Sequence, residues 1–200
     1  MPFIIGLTGG IACGKTTASD FFNEHGIEIV DADIVSREVV QPGEPALQEI
    51  VELFGPSILD GDGQLDRQQM RTLVFEDPAK RKQLEDILHP VIRSRLDRLL
   101  KNSQGPYVIF SVPLLIESGL QSRADRVLVI DVDPKTQLSR LTSRDGISHQ
   151  QAQAMVDSQL PREQRNLAAD DIIDNSTSVE RFLDQLEKRH KEYLTLAQQA

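Results

Sequence analysis

Apolar residues fill the stretch from Phe3 to Leu7, which predicts a buried strand. Ala18, Phe21 and Phe22 then share one helical face, so a helix is expected from about Lys15 to His25, with Gly26 as its stop. Residues 27–30 read as a second strand running into Asp31-Ala32-Asp33. Between residues 42 and 100 no strand pattern is visible. Leu47, Ile50, Val51 and Phe54 have helical spacing, closed by Gly55-Pro56. Asp60-Gly61-Asp62-Gly63 is a turn; it begins like a calcium loop, but Leu65 stands where that loop needs Gly, so calcium is rejected. Asp77-Pro78 opens a helix with an apolar stripe from Leu84 to Leu99, which Pro90 should kink or break near His89.

Residues 107–112 and 126–130 read as the third and fourth strands, the fourth ending at Asp131. Asp133 and Pro134 open the next helix. Ser148 and Gln151 form a capping box for another, with Ala152, Met155 and Val156 turned inward. Residues 171–174 make a short fifth strand around Ile172 and Ile173. Thr177 and Glu180 suggest a second capping box. It opens a closing helix that buries Val179, Phe182, Leu183, Leu186, Tyr193 and Leu194, with fraying expected from Thr195. Strands alternating with helices indicate an α/β fold. The helical block between the second and third strands, about sixty residues, is too long for a simple crossover. It reads either as a subdomain for a second substrate or as a structural excursion.

Composition narrows the picture. The chain has 200 residues, consistent with one domain carrying insertions. Its 31 acidic residues against 22 Lys and Arg leave a net charge of −9, which argues against general nucleic-acid binding. A single Cys excludes an internal disulfide and fits a reducing compartment. No basic leader precedes the first apolar run, and the longest later one contains Ser111 and Pro113, far short of a membrane span. A cytoplasmic protein with no membrane and no nucleic-acid partner is expected.

The first strand and helix bracket the most informative stretch. Gly9, Gly14, Lys15 and Thr16 match G-x-x-x-x-G-K-[ST], the phosphate-binding loop; the bland alternative is a Gly-rich turn. Glycines let backbone N–H groups converge on a phosphate, and the following helix points its positive end at the same anion. Gly10, Ile11, Ala12, Cys13, Gly14, Lys15, Thr16 and Thr17 are therefore expected to bind ATP. Lys15 would charge-pair with the β- and γ-phosphates, and Thr16 would hold Mg²⁺. Cys13, beside a helix N-terminus and an ammonium, is expected to be a reactive thiol that ATP protects; the neutral alternative is a small residue at a permissive position.

Two further features carry chemistry. Asp31 and Asp33 follow the second strand, where ligands bind in open α/β sheets; the alternative, stronger for Asp31 than for Asp33, is a helix cap. Arg140 and Arg144 share a helix face, and Arg162 and Arg165 follow at i, i+3. In an acidic chain this cluster reads as a mobile lid that supplies cations to phosphoryl oxygens, or else as a solvated face. A guanine-nucleotide switch is disfavoured because no N-K-x-D string occurs.

Over essentially its full length the chain resembles the bacterial dephospho-coenzyme A kinases. The resemblance is carried by residues 7–16, by Asp31-Ala32-Asp33 with Arg37, and by Leu88-His89-Pro90-Val91-Ile92. Val112-Pro113-Leu114-Leu115-Ile116-Glu117, Arg140 to Asp145 and Ala169 to Asn175 complete it. It implies a three-layer P-loop fold of the nucleoside-monophosphate-kinase-like group, with a five-stranded parallel sheet, a helical acceptor-binding insertion and a helical lid. The core would take residues 1–40, 105–139 and 167–200, the insertion 41–104 and the lid 140–166. The implied reaction is ATP-dependent phosphorylation of the ribose 3′-hydroxyl of dephospho-coenzyme A, with Mg²⁺. Another small-molecule P-loop kinase is the alternative. The resemblance implies catalytic roles for Lys15, Asp33 and Arg140, an ATP contact from Arg144, and acceptor contacts from Asp33, Arg37, His89, Pro113, Leu115 and Glu117. Two departures stand out. Ser111 occupies a position where the family often has Asp, which leaves Mg²⁺ without that carboxylate. Ala12-Cys13 and Thr16-Thr17 replace the common Gly-Ser and Ser-Thr.

Overall fold

A computed structural model of the protein describes residues 2–199. Five strands, β1 (Phe3–Gly9), β2 (Glu28–Asp31), β3 (Tyr107–Ser111), β4 (Arg126–Asp131) and β5 (Asp171–Asp174), form one parallel sheet in the order β2-β3-β1-β4-β5. The central strands are apolar through their middles, with polar residues at their ends, because both sheet faces are covered. Ile5, Leu7, Tyr107, Ile109, Leu128 and Ile130 pack against helices α1 (Lys15–Glu24) and α9 (Val179–Ala197), which contribute Phe22, Phe182, Leu186 and Tyr193. Each such side chain contributes about 1.5–3 kcal/mol on full burial. Their neighbours Val108, Phe110, Val127 and Val129 are equally buried. Gly6 is required on that second face: a Cβ there would lie 2.8 Å from Leu115 Cδ2 and 3.0 Å from Ala124 Cβ.

Register brings functional ends level. Leu7 pairs with Ser111 of β3 and Gly9 with Ile130 of β4, so Ser111, Gly9 and Asp131 finish side by side at the carboxyl edge. Below that edge a polar cluster surrounds a buried carboxylate. Asp171, only 4 % exposed, is forked by Arg126, meets Arg189 at 2.9 Å and accepts the Tyr193 hydroxyl at 3.1 Å. Burial pushes its carboxyl up, but the two arginines and the phenol outweigh it and hold the group below the ordinary carboxylate range.

The remaining helices are α2 (Ala32–Glu38), α3 (Pro45–Phe54), α4 (Arg67–Glu76), α5 (Pro78–Asn102), α6 (Pro134–Asp145), α7 (His149–Asp157) and α8 (Arg162–Leu167). Met1–Val30 with Leu100–Ala200 form one compact unit, and Asp31–Leu99 a second. The second contains α2 to α4 and most of α5; its buried side chains include Val35, Leu47, Ile50, Ile58 and Met70. The Asp60–Gly63 turn is closed by an antiparallel bridge between Leu59 and Leu65. Asp60 Oδ1 accepts from the amides of Asp62 and Gln64, so this carboxylate organises the turn.

Several expectations need correction. The α5 helix continues through Pro90 without the break expected near His89. Proline removes the bond to the carbonyl of Asp86, and Asp86 is exposed, so water can serve that carbonyl. Met155 is 39 % exposed, and Val179, Leu183 and Ile172 face outward; the predicted faces there were one position too wide. The capping residue of α9 is Ser178, whose hydroxyl accepts from the Arg181 amide, one residue later than the Thr177 box. The same helix continues to Ala197 without fraying at Thr195, because Leu196 and Ala197 pack against the core. The Ser148–Gln151 box, by contrast, is present with both of its bonds.

Candidate active site

The segment from Gly9 to Gly14 leaves β1 and turns back into α1. A Cβ on Gly9 would lie 2.5 Å from both Cys13 Sγ and the Ile130 carbonyl, so only glycine permits this tight exit. The Cys13 amide closes the turn on Gly10 O at 3.1 Å. Two residues adopt left-handed backbone, Ala12 at φ 59° and Gly14 at φ 97°. The N-cap of α1 is Gly14, with no side-chain cap, and the helix dipole favours an anion at this end. Lys15 Nζ lies 2.7 Å from Ser111 Oγ and donates to it, which places the ammonium against the head of β3. The Thr16 and Thr17 side chains stand exposed at the opening of the helix.

A ring of polar side chains from distant segments holds the loop. Gln137 Nε2 donates to Ile11 O at 2.9 Å, and Gln159 Oε1 accepts from Ile11 N at 2.8 Å. Asn175, following β5, donates Nδ2 to Cys13 O at 2.8 Å and is buried. Arg165 is 7 % exposed; its Nη2 donates to Leu160 O at 2.6 Å, and its Nη1 lies 2.9 Å from where a Cβ on Gly10 would sit. A buried guanidinium therefore rests on the phosphate loop, the cation that an acidic chain must focus there. Arg162 instead forks onto Asp131 at 2.6–3.1 Å, which commits that carboxylate to an ion pair. Beside the loop, the buried Thr8 hydroxyl donates to Pro113 O at 3.0 Å and fixes the turn after β3.

Among the predicted site residues, Gly10 to Thr17 come together as one loop and helix start. Cys13 is the clear correction. It is 2 % exposed and faces the core, where burial pushes its thiol up to about 11 despite the nearby Lys15. A thiolate with ATP-sensitive access is therefore overturned: the loop turns the Cys13 side chain into the core, while its amide and carbonyl are taken by Gly10 O and Asn175. Leu115 is likewise a core residue, fully buried beneath Gly6, and offers no surface to an acceptor. Pro113 and Glu117 lie on the turn after β3, and Glu117 Oε1 accepts from Leu160 N at 3.1 Å. Arg140 makes no ion pair among the described residues, whereas Arg144 forks onto its neighbour Asp145 at 2.6 and 2.9 Å. In the second unit, Asp31 caps α2 by accepting from the amides of Asp33 and Ile34, so the capping alternative holds for Asp31. Asp33 and Arg37 project from α2 and His89 from α5, all three exposed.

A family model for dephospho-CoA kinase matches residues 3–181 of the chain. This chain belongs to the dephospho-CoA kinase family. A dephospho-CoA kinase of Sodalis glossinidius is 46 % identical over 198 residues, covering 99 % of this chain and 95 % of the relative. Two solved structures agree in fold. A Thermus thermophilus protein superposes with a TM-score of 0.81 at 31 % identity, covering 96 % of this chain and 97 % of that one. The dephospho-CoA kinase of Campylobacter jejuni gives 0.75 at 29 %, with 98 % of each chain covered. Against this kinase family, sequence reasoning missed Ser111 as the partner of Lys15, and Gln137, Gln159 and Asn175 as holders of the loop. None belongs to a motif that names the role, since glutamine reaching a backbone 126 or 148 residues away leaves no local signal. Asn175 was within reach, as the last residue of the Ala169–Asn175 stretch. Among the described residues no helix is long and apolar enough to cross a membrane.

Proposed function

We propose that the protein transfers the γ-phosphoryl group of ATP to the ribose 3′-hydroxyl of dephospho-coenzyme A, the last step of coenzyme A synthesis. The carrying observation is the phosphate loop, with Lys15 braced at Ser111, in a chain that matches this kinase family from residue 3 to residue 181. In the transfer, the bond between the γ-phosphorus and the β–γ bridging oxygen breaks and a bond to the 3′-oxygen forms. The hydroxyl proton leaves to a base, and ADP departs. Phosphoryl transfer demands positioning and charge neutralisation more than covalent chemistry. Lys15 and the loop amides supply this at the β- and γ-phosphates. Arg165, already seated on Gly10, supplies a cation within the closed part of the site, and Arg140 adds one from α6. Asp33 serves as the base or orienting group for the 3′-hydroxyl. Arg37, His89, Pro113 and Glu117 are assigned to the acceptor side, and Arg144 to ATP once it releases Asp145.

Mg²⁺ keeps most of its waters and binds through phosphate oxygens with one or two protein ligands. The exposed Thr16 hydroxyl beside the open first turn of α1 is such a ligand, and no cluster of three or more His, Cys, Asp or Glu among the described residues offers a protein cage. The donors present therefore fit a magnesium–nucleotide complex held by Thr16, which would supply further charge neutralisation. Ser111 engages Lys15 where a carboxylate would otherwise stand. A chain with a single Cys, unable to form an internal disulfide, fits a reducing compartment, which supports action in the cytoplasm.

The experiment is an ADP-release assay with an acceptor panel of dephospho-coenzyme A, AMP, CMP and shikimate. The expected result is turnover with dephospho-coenzyme A and kcat/KM lower by at least about a hundredfold for the others, roughly 2.7 kcal/mol of discrimination. Preferred turnover of AMP, CMP or shikimate would assign the site to a different acceptor.

A further inference from the structure

Both peptide groups of Ile11 are held by side chains from far along the chain. Gln137 of α6 donates to its carbonyl, and Gln159, between α7 and α8, accepts from its amide. Neither contact is a by-product of local folding. Gln137 is 6 % exposed, and its Nε2 occupies the space a Cβ on Gly10 would need, at 2.7 Å. Gln159 is fixed from the other side, because the next residue, Leu160, donates its amide to Glu117 Oε1 and accepts Arg165 Nη2 at its carbonyl. The residue after Ile11 is Ala12, the one non-glycine with left-handed backbone among the described residues. An L side chain disfavours that conformation, and such strain persists only where the surroundings over-determine it. Ala12 must hold it for the amides that follow to converge on a phosphate.

We propose that Gln137 and Gln159 are positioning residues for ATP. They clamp the Ile11 peptide, the clamp keeps Ala12 in its strained conformation, and the loop amides are thereby aimed before nucleotide arrives. Preorganised donors cost nothing at the moment of binding, so the clamp acts on nucleotide affinity and not on the acceptor. It also makes the segment carrying Arg165 part of the loop's own framework. The inference rests on the reading of the loop as the ATP site.

The test is calorimetric titration of ATP with Mg²⁺ into wild type, Gln159→Met and Gln137→Met, repeated for Gln159→Met in the Ala12→Gly background, with thermal melts and acceptor KM measured alongside. Methionine keeps the length of the side chain and removes the amide. Gln159 is partly exposed, so its variant retains the fold even if the Gln137 variant does not. The expected result is an ATP Kd about tenfold weaker in Gln159→Met, in the range for a peptide donor that loses its partner, with acceptor KM within about twofold of wild type. Glycine reaches left-handed backbone freely. In the Ala12→Gly background the Gln159→Met loss therefore shrinks to below about threefold, a coupling that a merely structural glutamine does not produce. An unchanged Kd in Gln159→Met, or an undiminished tenfold loss with glycine at that position, overturns the clamp. Failure of wild type itself to bind ATP overturns the reading of the loop instead.

Discussion

Cys13 shows how little a one-residue change of facing needs in order to reverse a chemical expectation. By sequence it sits beside Lys15 at a helix N-terminus, a setting that lowers a thiol pKa. The loop turns its side chain under Gly9 into the core, and burial pushes the thiol up to about 11. The folded protein should therefore react with a thiol reagent at neutral pH far more slowly than the unfolded chain, by at least about a hundredfold, and ATP should change the native rate little. Since this is the chain's single cysteine, a colorimetric thiol titration in buffer and in denaturant reads it directly. Rapid native labelling that ATP suppresses would put the sulfur back among the phosphates. The same scale explains which parts of the site were readable. Gly9, Gly14, Lys15 and Thr16 announce themselves because their types are dictated by phosphate geometry. Ser111 does not, because a serine ending an apolar strand carries no signal until the register sets it beside Lys15.

At the scale of elements, residues 140–166, proposed as a lid, fall into two parts with different attachments. Residues 159–165 are already docked: Gln159 on Ile11, Leu160 on Glu117, Arg162 on Asp131 and Arg165 at Gly10. The end of α6 carries Arg140 and Arg144, of which the first has no ion pair among the described residues and the second holds only its exposed neighbour, and α7 after it has Ala152 as its buried residue. Segments with few buried contacts open most easily. Hydrogen exchange in a non-hydrolysable ATP analogue should therefore slow across residues 140–157 and change little across 159–165. Slowing confined to the second stretch, or none at saturating ligand, would contradict this division. The strands and the long helices were legible because their apolar spacing is strong. The α4 helix was not, because it buries little beyond Met70 and leaves Phe75 88 % exposed. Helix α2 was hidden by shortness, and its Asp31 cap resembled a catalytic carboxylate.

Across the whole molecule, the end of the sheet away from the phosphate loop holds a second polar arrangement. His190 of α9 is 9 % exposed, and its Nδ1 lies 2.6 Å from the Tyr107 hydroxyl of β3. The ring of His25, at the end of α1, stands 5.2 Å away, and His25 itself meets Glu187 at 3.4 Å. Burial first, and the neighbouring His25 next, push the His190 pKa below its ordinary value; Glu187 pulls the other way, and Lys191 adds a smaller push down. The unfolded chain then binds more protons than the folded one as pH falls below about 6.5, so stability is full above that pH and declines beneath it. The melting temperature should fall between pH 7.5 and 5.5, and His190→Gln, though less stable throughout, should lose less over that interval. An equal loss in both proteins would remove His190 as the source.

The central claim, that the loop at the head of β1 delivers a phosphoryl group to one hydroxyl of one acceptor, is tested most directly by phosphorus NMR of the product. With ATP, Mg²⁺ and dephospho-coenzyme A, the account predicts a new phosphomonoester resonance coupled to the ribose H3′, formed in step with ADP and lost in Lys15→Ala. ADP accompanied only by inorganic phosphate, or a phosphoester on any other oxygen, would contradict it.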